Sequence, residues 1–172
     1  IAFTSMVMRA LGANDRAASH SSGLAFLLTI PLVFILALRM FDWRTGLLAT
    51  LLFGTHLANL TYSVSGLEAS MLGLLVTALI LLLHCAASSE KRGLLWVAAA
   101  GAVMGLIYLT KYVWIAALIP AILYLIIMKP ERRIARVAIF VAMVAVVAVP
   151  WLSRNYAITG NPFFTLRWHE MV

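Results

Sequence analysis

The sequence predicts an all-α fold, a polytopic transmembrane helical bundle with about six full membrane-spanning helices. Three observations predict it. Of the 172 residues, 64% are hydrophobic and only 11% are charged, whereas a soluble domain carries about a quarter charged residues. The charged side chains delimit six long uncharged runs, Ala17–Leu38, Thr45–Leu67, Ala69–Ser89, Gly93–Thr110, Tyr112–Met128 and Val137–Ser153. Each reaches the roughly 17 residues that a helix needs to cross about 30 Å of hydrocarbon. None alternates as a strand would, and an open sheet in lipid leaves backbone groups unpaired.

The elements follow in order. Residues 1–18 read as a truncated helix or interfacial segment and a loop: Ile1–Leu11 is apolar but short and is interrupted by Arg9. The chain opens inside this apolar stretch, which reads as an internal piece of a longer protein. Gly12-Ala-Asn-Asp15 breaks the helix, and residues 19–153 form the transmembrane domain. Its first span carries Pro31, a cause of kinks. Asp42-Trp-Arg-Thr-Gly46 makes a tight turn into the second span. The third follows Ser65-Gly66, and the fourth follows the polar loop Ser88–Gly93. Lys111-Tyr112 links it to the fifth, which contains Pro120; Lys129–Arg136 is the longest basic loop. Residues 154–172 are an extracytoplasmic tail. All five Trp, at 43, 96, 114, 151 and 168, lie near these boundaries or in the tail, where amphipathic rings meet headgroups.

The formal charge of +7 is a topology signal and does not point to nucleic acid. Arg39, Arg44, Lys91, Arg92, Lys129, Arg132, Arg133 and Arg136 follow the first, third and fifth runs, while the second and fourth connections hold only Lys111. The positive-inside rule puts the eight basic residues in the cytoplasm of a multi-pass cell-membrane (inner or plasma membrane) protein. Membrane lipids are its surroundings, with anionic lipid expected against Lys129–Arg136. Cys85 is the single cysteine, so no intrachain disulfide can form.

This topology collects three polar clusters on the extracytoplasmic side: Tyr62–Glu68, Thr110–Tyr112 and Arg154–Asn161. Ionisable side chains near hydrocarbon are costly, which makes them candidates for function. Glu68 has two readings, since Ser65-x-x-Glu68 is a capping-box spacing with Glu68 third in the helix. Lys111 and Arg154 either snorkel to the headgroups or bind a lipid-linked phosphate, Arg as a planar fork and Lys as a point charge. His56 and Asn59 read as hydrogen-bonding groups facing neighbouring helices, and Gly101-x-x-x-Gly105 as a close-packing face. Asn59-Leu-Thr61 has sequon spacing but abuts the membrane, and Asp15 suits a loop or a cap. The histidines lack ligand spacing. No cofactor is evident, and the question of a divalent metal stays open. The sequence has no phosphate-cradling Gly loop, no paired catalytic acids and no nucleophile triad.

Pro150-Trp151…Arg154-Asn155-Tyr156…Thr159-Gly-Asn-Pro-Phe-Phe164, Gly105-Leu-Ile-Tyr-Leu-Thr-Lys111-Tyr112 and Tyr62-Ser-Val-Ser-Gly-Leu-Glu68 together resemble the membrane core of GT-C-fold glycosyltransferases. The likeness is to the protein O-mannosyltransferase and aminoarabinose-transferase superfamily, along roughly residues 10–164. It implies a membrane enzyme that moves a sugar from a polyprenyl-phosphate donor to an extracytoplasmic acceptor. It also implies that Lys111 and Arg154 lie near the donor phosphate, with Glu68, Tyr112 and Asn155 lining the same face. The family's catalytic carboxylate lies in a large loop after its first transmembrane helix, and the chain reads as beginning beyond that loop. Two other readings stand beside this one. The first is a transporter or flippase for a lipid-linked or small substrate, which places charges or broken helices near mid-membrane; the second is a non-catalytic membrane scaffold.

Overall fold

The computed structural model describes residues 15–66, 68–89, 92–128 and 132–163, with side chains from Ser19 onward. The Ile1–Leu11 segment, the Asp15 side chain, Lys91, Lys129 and everything after Phe164's predecessor, Trp168 included, lie outside the described residues. Within them the chain is helical and has no strand: α1 (Asp15–Met40), α2 (Trp43–Thr55), α3 (Leu57–Val64), α4 (Ala69–Ser88), α5 (Gly93–Thr110), a 3₁₀ turn (Tyr112–Ala117), α6 (Leu118–Met128) and α7 (Arg133–Thr159). The all-α polytopic class is as the sequence predicts, but two of the six predicted spans, the second and the fifth, are not single regular helices. By length and apolarity α1, α4, α5 and α7 can each cross a membrane, and α2 with α3 makes a fifth candidate bent by 57°. The chain divides into two units, Ile1–His84 and Cys85–Val172.

In the first unit α1 packs against α2 and α3. Gly46 lets α2 approach Phe34, since a Cβ there would lie 3.1 Å from the Phe34 Cε2. The Phe26 and Phe53 rings stack with centroids 5.7 Å apart. Ser21, Ser22, Thr29 and Ser63 are buried. Hydroxyls suit a membrane helix because they can bond back to its own carbonyls; Thr29 Oγ1 does so to the Ala25 carbonyl at 2.7 Å.

The turn Phe41-Asp42 ends α1, and Asp42 starts α2 as its N-cap, its Oδ1 accepting the Thr45 N–H at 2.7 Å. Hydrogen bonding to the charged form from the Thr45 side chain, and then from the Thr45 N–H, holds the Asp42 carboxyl below its usual range. A carboxylate with a lowered folded-state pKa contributes stability above the unfolded value of about 3.9 and loses it as pH falls through the folded value. Amide exchange at Thr45 is therefore expected to stay slow down to about pH 4 and to accelerate below it. In Asp42→Ala it is fast at neutral pH as well; slow exchange in that variant would disprove the cap.

The second predicted span is interrupted at His56, whose ψ of 122° leaves the helical region between α2 and α3. A break in lipid exposes carbonyls that need donors. Asn59 supplies one, its Nδ2 donating to the Phe53 carbonyl at 3.0 Å. Asn59 thus serves its own broken span and not a neighbouring helix, while His56 is exposed at the break. The predicted capping box also differs. The Ser65 hydroxyl donates to the Tyr62 carbonyl at 2.9 Å, at the end of α3. Glu68 stands just before α4, its carbonyl accepting the first helical N–H from Leu72 at 2.9 Å, which is the N-cap place and not the third helical position.

In the second unit α5 lies along α7, and the glycines give the register. A Cβ on Gly93 would meet Arg136 Nη2 at 2.9 Å, one on Gly101 the Phe140 carbonyl oxygen at 2.5 Å, and one on Gly105 the Val147 Cβ at 2.7 Å. The partners ascend together, so α5 and α7 are parallel. Val97, Ala100, Met104 and Ile107 of α5 are fully buried, as is Phe140 of α7, with Val144 and Ala148 nearly so. Lipid offers no hydrophobic drive for this pairing; close backbone approach at small residues and dispersion supply it.

Two parallel helices need a return path, and Tyr112–Met128 provides it. Pro120 has no N–H to give the Ala116 carbonyl, so a continuous α-ladder cannot run through this segment. Residues 112–117 wind as 3₁₀ and residues 118–128 as α. At rises of about 2.0 and 1.5 Å per residue the two cover roughly 28 Å, close to the hydrocarbon thickness, although the segment is short for a regular spanning helix.

Arg136 is the exception to the reading of Lys129–Arg136 as a lipid-facing basic loop. It is buried, with Nη1 donating to the Ala86 carbonyl at 3.4 Å. It thereby places a cation on the C-terminal turn of α4, where the helix dipole favours one.

Candidate functional site

Parallel packing brings the C-terminal ends of α5 and α7 to the same end of the second unit. Gly101 and Gly105 each face residues about forty further along the chain. Carried forward along two parallel helices of equal rise, that offset sets Lys111 level with Trp151–Ser153, one turn from Arg154. Lys111, Tyr112, Arg154 and Asn155 therefore share one end. Glu68 belongs to the first unit and stands exposed at the start of α4.

Lys111 is the single residue between α5 and the 3₁₀ turn. Its N–H still bonds the Ile107 carbonyl at 2.9 Å, but its φ of −152° and ψ of 103° are extended, and its own carbonyl receives Trp114 N–H at 3.0 Å. The side chain is exposed. Thr110, its neighbour, turns its hydroxyl back to the Leu106 carbonyl at 2.8 Å, so that proton is committed to the helix. Tyr112, half-buried, opens the 3₁₀ turn.

The other half of the site is the last two turns of α7. The sequence placed a span end at Ser153, but the helix continues through Pro150 and Arg154 to Thr159. Arg154 is exposed, its guanidinium carbon 5.3 Å from the Trp151 ring centroid. The ring holds the cation by its face while the N–H edges stay open to a ligand. Among the described residues no carboxylate pairs with this guanidinium. Trp151 is a contributor the sequence reading used only as a membrane anchor, although its i, i+3 spacing from Arg154 was visible.

Beyond Arg154 the chain folds back on itself. Gly160 caps α7 at φ +70° with its N–H on the Tyr156 carbonyl at 2.8 Å, a left-handed conformation that glycine adopts without strain. The Thr159 hydroxyl lies 2.8 Å from the Asn155 carbonyl and 3.0 Å from that of Asn161. Asn161 Oδ1 accepts Phe163 N–H at 2.9 Å. Asn155 Nδ2 reaches the Pro162 carbonyl at 3.5 Å, which ties Asn155 to this cap. The arrangement offers a guanidinium and an ammonium at the same end of an apolar helix pair. Such a pair can bind an anionic group at the lipid–water boundary and stabilise negative charge that develops on it. Among the described residues no group of three or more His, Cys, Asp or Glu side chains could hold a metal.

Long apolar helices that carry cations at their ends define a multi-pass integral-membrane protein. Residues 1–154 match the dolichyl-phosphate-mannose-protein mannosyltransferase family, and the chain belongs to it. It is thus a member of a membrane glycosyltransferase family of GT-C type. No curated protein and no solved structure matches the chain.

Proposed function

We propose that the shared end of α5 and α7 binds the phosphate of a polyprenyl-phosphate-linked sugar, and that the protein transfers this sugar to an acceptor on the extracytoplasmic side of a cell membrane. The observation that carries the reading is the parallel register, which sets Lys111 level with the last turns of α7 where Arg154 is displayed. In such a transfer the bond from the sugar C1 to the phosphate oxygen breaks, and its electron pair stays on that oxygen. Arg154 and Lys111 would meet the growing charge. Tyr112 and Asn155, each next in sequence to one of the cations, and Glu68 at the start of α4 are the further residues proposed to line the donor site. The opposite end of the same helices carries Arg92, Arg132, Arg133 and Arg136; the positive-inside rule puts that end in the cytoplasm and the Lys111–Arg154 end outside.

A transporter would share one feature with this chain, the broken span at His56. Asn59 bonds the Phe53 carbonyl across that break, which makes it a self-satisfied bend, and family membership favours the transferase. The test is a transfer assay with the full-length protein in liposomes, offering the sugar on a polyprenyl phosphate or on a nucleotide. Transfer is expected from the lipid donor alone. Lys111→Ala is expected to raise the donor KM about tenfold, the loss of one charge-assisted contact of roughly 1.4 kcal/mol. Equal use of the nucleotide sugar would refute the proposal.

A further inference from the structure

A groove of about 590 Å³ runs between α6 and α7, lined by Ile126, Arg133, Ile134, Val137, Ala138 and Val141. Its lining surface is apolar throughout; Arg133, at the end where α7 begins, contributes only the stem of its side chain. The groove extends from Arg133 to Val141, about 12 Å of helix, which is most of one leaflet's half of a 30 Å hydrocarbon core. The groove itself is apolar, and the charges of Arg132 and Arg133 stand beyond it at the end where α7 begins.

Two more features sharpen the cationic end. Arg132, the N-cap, has a left-handed backbone (φ +58°) and no side-chain cap bond, and the positive end of the dipole of a 27-residue helix lies beside Arg133. Arg132 and Arg133 are exposed, and among the described residues no carboxylate pairs with either.

From the groove and the two cations at its end we infer that α6 and α7 hold one anionic phospholipid, an acyl chain along Val137, Ala138 and Val141 and the phosphate at Arg133. Charge complementarity selects this occupant: a free anion needs no apolar groove, and in a zwitterionic lipid the headgroup cation offsets the attraction of the phosphate to Arg132 and Arg133. The site is distinct from the proposed donor site. Arg133 and Arg154 are 21 positions apart on α7, about 31 Å, so they bracket the hydrocarbon and the inference does not rest on the donor reading.

Native mass spectrometry of the full-length protein, released from micelles containing phosphatidylglycerol or phosphatidylcholine of identical chains, tests the site. Wild type is expected to retain phosphatidylglycerol about fivefold better, the factor that one Lys or Arg near an anionic surface supplies. Arg133→Gln should bring that ratio close to one. Ala138→Phe, at an exposed position that fills the groove without entering the core, should lower retention of both lipids. An unchanged ratio in Arg133→Gln, unchanged retention in Ala138→Phe, or displacement of the lipid by inorganic phosphate alone would each overturn the inference.

Discussion

Gly101→Ala is expected to lower the thermal unfolding midpoint of the protein more than alanine at α5 positions that face away from α7. The added methyl would sit 2.5 Å from the Phe140 carbonyl oxygen and 2.9 Å from the Met143 Cβ. Neither atom is the tip of a flexible side chain, so the helices must separate to admit it. Overpacking of this kind costs about 1–3 kcal/mol, and here the loss extends along the interface because close approach is what holds two helices together in lipid. Gly73→Ala is the control: nothing lies within 4 Å of its added methyl, and alanine favours the helix by roughly 1 kcal/mol. Size-exclusion chromatography after heating, in one detergent, compares them. A Gly101→Ala midpoint equal to that of Gly73→Ala would rule out the parallel contact, and with it the register that sets Lys111 beside the end of α7.

That register marks where sequence reasoning stopped. Apolar run length located α1, α4, α5 and α7, because hydrocarbon thickness acts on length and composition, which a sequence displays. Gly101-x-x-x-Gly105 announced a packing face but could not name its partner, since small-residue ridges fit many helices. The break at His56 falls inside an unbroken apolar run, and Asn59, which satisfies it, looks like any polar residue in a span. Pro120 carried a legible warning, but its consequence, a 3₁₀ turn reaching back to Tyr112, depends on the preceding carbonyl it cannot bond. Arg136 was counted with its basic neighbours; only its i, i+4 spacing with Phe140, Val144 and Ala148 showed it to be part of the buried stripe. Of the candidate site, the residue types were legible and the geometry was not. Pro150 and Arg154 resembled a helix end, whereas the helix continues to Thr159 and so fixes Arg154 on a rigid element.

That fixed placement makes Arg154 the position of largest expected effect on activity. In Arg154→Ala, kcat/KM for a polyprenyl-phosphate donor should fall roughly ten- to a hundredfold, since a hydrogen bond to a charged group contributes about 1.5–3 kcal/mol. A snorkelling arginine and a phosphate-binding one differ in what restores function. Snorkelling needs only a long stem and a charge, so Arg154→Lys would be indistinguishable from wild type. Phosphate recognition uses the planar fork, so lysine should recover only part of the loss. Trp151 provides an independent handle. With the guanidinium 5.3 Å from its ring centroid, Trp151→Leu removes an exposed cation–π contact of about 0.5–1 kcal/mol and should weaken donor use two- to fivefold, with the acceptor KM unchanged. Because Trp151 acts through Arg154, its effect should vanish in the Arg154→Ala background. Additive losses in the double variant, or full activity in Arg154→Lys, would return Arg154 to the role of a membrane anchor.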